Sequence, residues 1–314
     1  MAPSRKMKGK ARAEPKTEAA LPLGKQLSHT DKAVRDQAVR NLTAFLSRGG
    51  QGEDDEEGPS GYTRLSETEM AKLWKGLFYF QQALAQDLAN LLLLINPAGG
   101  DAARLDAALA FLEGFWTALV REWSGIDRLR IDKYYMLIRR YVNATFRLLQ
   151  REGWNADAVS KVNSILTAVR GPMSWREKSV PTSLATHLAD VYLDELEKEE
   201  PVPLVSVLEP FAQLAANTRT PTVHTRLMSM VFSPILAALK DEEDEDERPA
   251  KRARADAQEF ENIVENIEVN GEKADKDEAR EAVLRAMFKE AAKEDAVESN
   301  RRKIYTVVRE EGDE

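Results

Sequence analysis

Residues 111–154 read FLEGFWTALVREWSGIDRLRIDKYYMLIRRYVNATFRLLQREGW. The apolar spacing predicts one helix ending at about Trp123 and a second from about Asp127 or Asp132 to Arg151, stopped by Gly153. The stretch carries the aromatic series Phe115, Trp116, Trp123, Tyr134, Tyr135, Tyr141 and Phe146. From Arg121 to Arg151 it also holds eight Lys and Arg against three Asp and Glu, in a chain whose formal net charge is −8. A basic helix in an acidic protein points to a polyanion or an acidic partner at that place.

In the second helix, Lys133, Arg140, Asn143, Arg147 and Arg151 fall close to one face, at steps of three, four or seven. Tyr134, Leu137, Ile138, Tyr141, Thr145, Leu148 and Leu149 take the opposite side. One face can therefore pack while the other displays guanidinium groups, whose planar fork suits phosphate oxygens or carboxylates. The candidate contacts to RNA or to an acidic partner are Arg128, Arg130, Lys133, Arg139, Arg140, Arg147 and Arg151. The competing reading is an ordinary solvated face with local pairs such as Arg128–Asp132 at i,i+4. The aromatic residues are assigned to the core rather than to base stacking, because large rings at helical spacing fill cores.

Outward from this stretch, helix signals follow one another. Leu27, Val34, Ala38, Leu42 and Phe45/Leu46 predict one or two helices over 23–46, with Ser28 or Thr30 as N-cap. Gly49–Gly61 reads as a flexible acidic loop. Ser66 with Glu69 forms a capping box that opens a helix through Leu94, closed by Asn96-Pro97. Asp101 caps the next helix, Asn155 starts one that ends before Gly171-Pro172, and another spans about Thr182 to Lys198. Pro203–Ala216 and a helix from Thr220-Pro221 to Lys240, kinked at Pro234, complete the series. No sustained period-two alternation marks a strand in this body. The expected fold is all-α: an irregular α-solenoid of antiparallel helical hairpins, HEAT- or armadillo-like, since so many helices are hard to place around one core.

The flanks read differently. Residues 1–20 predict a disordered basic tail, and 21–240 the helical-repeat domain. Residues 241–254 form an acidic then basic linker, DEEDEDERPAKRAR. Residues 255–314 predict a largely extended, charged C-terminal extension with short docking helices. Its amphipathic pieces, Phe260–Ile267 and Ala279–Ala291, bury too little to fold alone, and at least one is expected to dock on a partner. Ile304–Val308 reads as strand-like.

Charge separates the body from these appendages. Residues 61–240 hold 20 Lys and Arg against 19 Asp and Glu, a balance of +1, so the remaining segments carry −9 of the total −8. The chain has no cysteine, which excludes disulfides and thiolate metal sites. Its longest apolar run, Leu91–Ile95, falls far short of the roughly 20 residues that span a bilayer, and the basic, polar N-terminus does not read as a secretory signal. A soluble intracellular protein is expected.

No catalytic constellation is legible. His29, His187 and His224 lie apart without metal-ligand spacing, and each is read as a structural histidine. The Gly-rich segment near residue 50 is acidic and would repel phosphate. The run 241–247 reads as a solvated acidic linker rather than a divalent-cation site, and no nucleophile has a base beside it. No cofactor, metal or small-molecule substrate is expected. Lys251, Arg252 and Arg254 read as a nuclear-import signal, because exposed cations on a linker suit an acidic receptor groove.

The pieces LWKGLFYF (Leu73–Phe80), FLEGFW (Phe111–Trp116), REWSGIDRLRIDKYYMLIR (Arg121–Arg139) and SLATHLADVYLDEL (Ser183–Leu196) together resemble the eukaryotic ribosomal RNA-processing protein 1 family. These are nucleolar proteins needed to make the large ribosomal subunit. The resemblance implies a nonenzymatic, helical-repeat assembly factor located in the nucleus and nucleolus. It implies precursor large-subunit rRNA and other assembly factors as partners, with ribosomal proteins as further candidates, and no membrane. Two other readings compete. One is a nuclear protein-only α-solenoid adaptor that captures acidic or helical peptides; the other is an RNA-processing enzyme, which needs a preorganised site.

Overall fold

A computed structural model describes residues 23–27, 29–50, 62–77, 84–240 and 260–312 of the chain. In chain order the helices are α1 (Leu23–Leu27), α2 (Lys32–Arg48), α3 (Glu67–Leu77), α4 (Ala85–Leu94), α5 (Gly100–Glu122), α6 (Ile131–Arg151), α7 (Ala156–Thr167), α8 (Thr182–Leu196), α9 (Leu204–Asn217), α10 (Pro221–Leu227), α11 (Ser233–Ala238), α12 (Glu261–Glu265), α13 (Lys276–Ala291) and α14 (Glu298–Gly312). Among the described residues the strands are β1 (Glu268–Val269) and β2 (Glu272–Lys273), an antiparallel pair. Asn270 and Gly271, both at positive φ, turn between them. This Asn-Gly hairpin signal went unread in the sequence.

Local chemistry sets many of the helix ends. Ser66 Oγ accepts from Glu69 N at 3.3 Å while Glu69 Oε2 accepts from Ser66 N at 3.0 Å, the reciprocal capping box. Asn155 Oδ1 accepts from Asp157 N and Ala158 N at the start of α7. The cap of α2 is Asp31, whose Oδ1 accepts from Ala33 N at 2.9 Å, in place of the expected Thr30; Ser28 lies outside the described residues. Asp101 lies inside the first turn of α5 rather than capping it, and there it pairs with Arg104 at 2.8 Å. α6 stops where Gly153 and Trp154 turn left-handed, with Trp154 N closing on Leu149 O at 2.8 Å. The kink expected at Pro234 takes the form of a π turn, Met228–Phe232, which joins α10 to α11 just before the proline that has no N–H to give.

Sequential helices alternate between two rows. α3, α5, α7, α9 and α13 pack one on the next, and so do α2, α4, α6, α8 and α10. Each hairpin thus adds one helix to each row, as in an α-solenoid. This arrangement corrects the single helix expected from Ser66 to Leu94. α3 packs in the first row and α4 in the second, so one straight helix cannot supply both.

The core runs continuously through the rows. α5 buries residues nearly all round, from Ala103 to Leu119, as a helix with neighbours on every side must. Rings stitch the rows together. Trp74 stacks on Phe111 at 4.9 Å, Phe115 on Tyr141 at 3.7 Å, and Tyr192 meets Phe146 and Phe211 at 4.8 and 4.6 Å. The aromatic residues of the 111–154 stretch are therefore core, with Trp123 and Tyr135 at its margin. Gly114 permits this packing. A Cβ there would lie 2.5 Å from Met70 Cγ and 2.8 Å from Trp74 Nε1, so only glycine lets α3 approach α5 so closely.

Residues 260–312, expected to be largely extended, are mostly helical and dock on their own body. Glu197, just past α8, clamps α12: its two carboxylate oxygens accept from Asn262 N at 2.7 Å and Ile263 N at 2.9 Å. The Asn262 side chain returns to the carbonyls of Glu197 and Glu199. Val202 pairs with Ile267 in a parallel bridge, α13 covers α9, and Asn300 Nδ2 donates to Thr218 O at 2.7 Å. Both amphipathic pieces thus dock in cis, against the expected capture of one by a partner. Ile304–Val308 belongs to α14: Ile304 is buried while Tyr305 and Val308 pack at helical spacing, and tertiary packing overrides the strand propensity of Ile, Tyr and Val. Glu197→Ala leaves two helix-start amides without acceptors, a loss of about 1–3 kcal/mol from this clasp. Hydrogen exchange should then show α13 amides opening about tenfold faster while α5 amides keep their protection.

The basic tail 1–20, nearly all of the acidic loop, and the linker 241–254 lie outside the described residues, as do Lys251, Arg252 and Arg254.

Candidate nucleic-acid interface

α6 presents two faces, as its sequence predicts. Tyr134, Leu137, Ile138, Tyr141, Thr145, Leu148 and Leu149 are buried. Burial holds the Tyr141 phenol well above its ordinary pKa, and its hydroxyl donates to Leu88 O at 3.1 Å, seating α6 on α4. Along the exposed seam between these helices, three arginines reach across in order. Arg140 Nη1 donates to Gln86 Oε1 at 2.5 Å, Arg147 Nη1 to Asn90 Oδ1 at 3.3 Å, and Arg151 Nη1 to Leu93 O at 3.1 Å. Gln86 Nε2 donates to Asn90 Oδ1 at 3.0 Å, so the amides brace one another.

These partners on α4 are neutral. They fix the guanidinium groups without cancelling their charge, which leaves donors and a positive field facing solvent. Two acids moderate the ridge. Arg151 Nε also pairs with Glu152 at 3.0 Å, and Arg147 lies close enough to Glu199 to draw its pKa down against the larger upward push of burial.

The remaining candidates separate from this ridge. Arg139 is committed elsewhere. Its Nε meets Glu195 at 2.5 Å and its Nη2 meets Asp194 at 3.1 Å, both at the end of α8. Burial opposes the Arg139 charge, but the Glu195 hydrogen bond and charge outweigh it and raise its pKa. Since Glu195 is a buried carboxylate, shared among the described residues with Lys198 at 2.7 Å, Arg139 is a structural counter-ion. Arg130 Nε pairs with Asp127 at 2.5 Å at the corner before α6, and Lys133 is half-buried, its pKa lowered by burial and then by Arg130. Arg128 is exposed and makes no ion pair among the described residues; the expected Arg128–Asp132 pair does not form.

The histidines have structural roles. His224 Nδ1 meets Ala215 O at 2.9 Å, His187 Nε2 meets Tyr135 O at 3.0 Å, and His29 Nδ1 accepts from Asp31 N at 3.0 Å. Burial lowers the pKa of both His224 and His187. Among the described residues, no three His, Asp or Glu side chains gather as a metal site would require, and no helix is long and apolar enough to cross a membrane. A groove of about 260 Å³ between the start of α3, α5 and the end of α7 is lined by Glu67, Glu113, Thr117 and Arg170 among others.

Gln86, Asn90 and the Leu93 carbonyl, which build the ridge with the arginines, went unread in the sequence. The signal available was the polar i,i+4 step from Gln86 to Asn90 on a helix whose other residues, Asp87 apart, are apolar.

Comparison with known proteins gives a consistent result. The family described as nucleolar protein Nop52 matches residues 18–308. Ribosomal RNA processing protein 1 homolog B of Mus musculus is 33% identical over 242 residues, which is 72% of this chain and 31% of that protein. The Homo sapiens homolog B is 33% identical over 228 residues, 69% of this chain and 28% of that protein. The Drosophila melanogaster homolog is 33% identical over 143 residues, 43% of this chain and 19% of that protein. The matched region spans less than a third of each of these relatives.

Proposed function

Because the chain belongs to the family of nucleolar protein Nop52, we propose that it serves ribosomal RNA processing as a nonenzymatic assembly factor in the nucleolus. In this reading it is a helical scaffold of precursor large-subunit particles that binds precursor ribosomal RNA and other assembly factors. The observation that carries RNA binding is the α4–α6 ridge, where Arg140, Arg147 and Arg151 are held in line by neutral partners on α4. Phosphate is the ligand such a row suits best: each guanidinium offers further donors, and displaced counterions supply the driving force. Import into the nucleus is assigned to Lys251, Arg252 and Arg254, on the segment between α11 and α12. The names of the similar proteins, ribosomal RNA processing protein 1 homologs, support the same context.

The test is sedimentation of the tagged full chain from nuclear extract, with and without ribonuclease, followed by sequencing of bound RNA. The expected result is co-sedimentation with large-subunit precursor rRNA. Ribonuclease should shift the chain to smaller complexes where the ridge contributes to holding it. A small ribosome-free complex that ignores ribonuclease would replace this reading with the protein-only adaptor.

A further inference from the structure

The corner between α5 and α6 displays a side chain that RNA binding does not use. Leu129 is 96% exposed, while the next most exposed large hydrophobic among the described residues, Val169, is at 54%. Single exposed leucines are ordinary on protein surfaces; the mounting of this one is not. Asp127 Oδ1 accepts from Leu129 N at 3.0 Å and from Arg130 N at 3.1 Å, and Asp127 Oδ2 accepts from Arg130 Nε at 2.5 Å. One carboxylate thus ties the backbone of the tip and the side chain of its neighbour.

The base of the turn is equally fixed. Ile126 N donates to Trp123 O at 3.1 Å, and the Trp123 indole donates to Ser183 Oγ on α8 at 2.9 Å. Tyr135 packs against Trp123 on one side and His187 on the other, with ring centroids 5.6 and 4.3 Å away. A loosely held turn would let the leucine fold back over apolar neighbours. This one holds it away from them, so ordering cost has been met before any partner arrives.

We propose that the tip Arg128–Leu129–Arg130 is a plug for a folded protein partner, whose socket takes the leucine and whose rim carries carboxylates. Charge selects the rim. Asp127, Arg128 and Arg130 sum to +1, and exposed Arg128 has no ion pair among the described residues. The leucine selects the class of partner. RNA offers phosphates to an arginine but no deep apolar socket for an isobutyl group, whereas a protein surface offers both. The plug lies roughly 15 Å along α6 from Arg140, ten residues at 1.5 Å each, so both surfaces can be occupied together. This proposal stands whether or not the ridge binds RNA.

The test replaces Leu129 with the photo-crosslinker p-benzoylphenylalanine in the full chain, irradiates nuclei and sequences the attached segment. One discrete protein segment is expected, with apolar residues flanked by Asp or Glu. That segment, prepared within its own purified domain, is then titrated against Leu129 variants. Leu129→Lys should weaken binding about tenfold or more, and Leu129→Met should stay within about twofold, because methionine refills an apolar socket. Leu129 is so exposed that neither change disturbs the fold. Attachment to RNA, to lipid or to a second copy of the chain overturns the proposal. So do a segment without acidic residues, scattered attachment, and equal affinities for the Lys and Met variants.

Discussion

Replacing Arg140, Arg147 and Arg151 together with Glu is expected to cut the affinity of the full chain for precursor ribosomal RNA by about a hundredfold or more at 0.1 M salt. The slope of log affinity against log salt should flatten by about two, since each phosphate contact on a single strand contributes about 0.7 to it. Folding should survive. The partners on α4 are two side-chain amides and a carbonyl, and the one ion pair lost is Arg151–Glu152, so a thermal melt of the triple variant accompanies the binding measurement. Arg139→Gln is the control. It strips a buried carboxylate, Glu195, of its main counter-ion and so lowers stability by about 1–3 kcal/mol, yet it should leave the salt slope unchanged. If the triple reversal binds RNA as tightly as the parent, the ridge is an ordinary solvated face and its assignment fails.

Tyr141→Ala is expected to be the most damaging single change in the core, at about 4 kcal/mol. The residue is buried where α4, α5 and α6 meet, its ring stacks on Phe115 at 3.7 Å with planes 6° apart, and its hydroxyl satisfies Leu88 O. Alanine removes the ring, leaves a cavity between two rows that cannot both collapse into it, and orphans the hydrogen bond. Tyr141→Phe keeps the stack and loses only the donor, so it should cost about 1 kcal/mol. Thermal melts should place the alanine variant about 10 °C below the parent and the phenylalanine variant within a few degrees. Equal losses for the two would mean that the hydroxyl, not the stacked ring, holds α6 in place.

The all-α class and the stacked hairpins were legible because they depend on local periodicity and end chemistry. Ser66 with Glu69, Asn155 and Gly153 each act within four residues of where they stand. The core role of Phe115, Trp116 and Tyr141 followed from ring size and helical spacing. What the chain concealed depends on distance. Arg139 looks like its neighbour Arg140 until α8 brings Glu195 to it from 56 residues away. The break between α3 and α4 is invisible in an unbroken helical pattern, because it is imposed by packing in opposite rows. The docking of 260–312 needs Glu197, Val202 and Thr218, none of which signals a partner by itself. Leu129 reads as one more apolar residue in a periodic run; only the Asp127 turn shows that it points away from everything.

The covering of α9 by α13 also has a meaning in time. The two rows build from contacts between near neighbours in the chain, so they can assemble in step with synthesis. α9 is the exception, because its cover lies between residues 276 and 291. At synthesis rates of about 5–20 residues per second, roughly 4–15 s separate the appearance of Asn217 from that of Ala291. During that interval α10 and α11 are added while the apolar face of α9 that α13 covers stays open. Closure of that face by α13, with α14 packing on both, waits for the later residues, and the ribosome making them sets the delay.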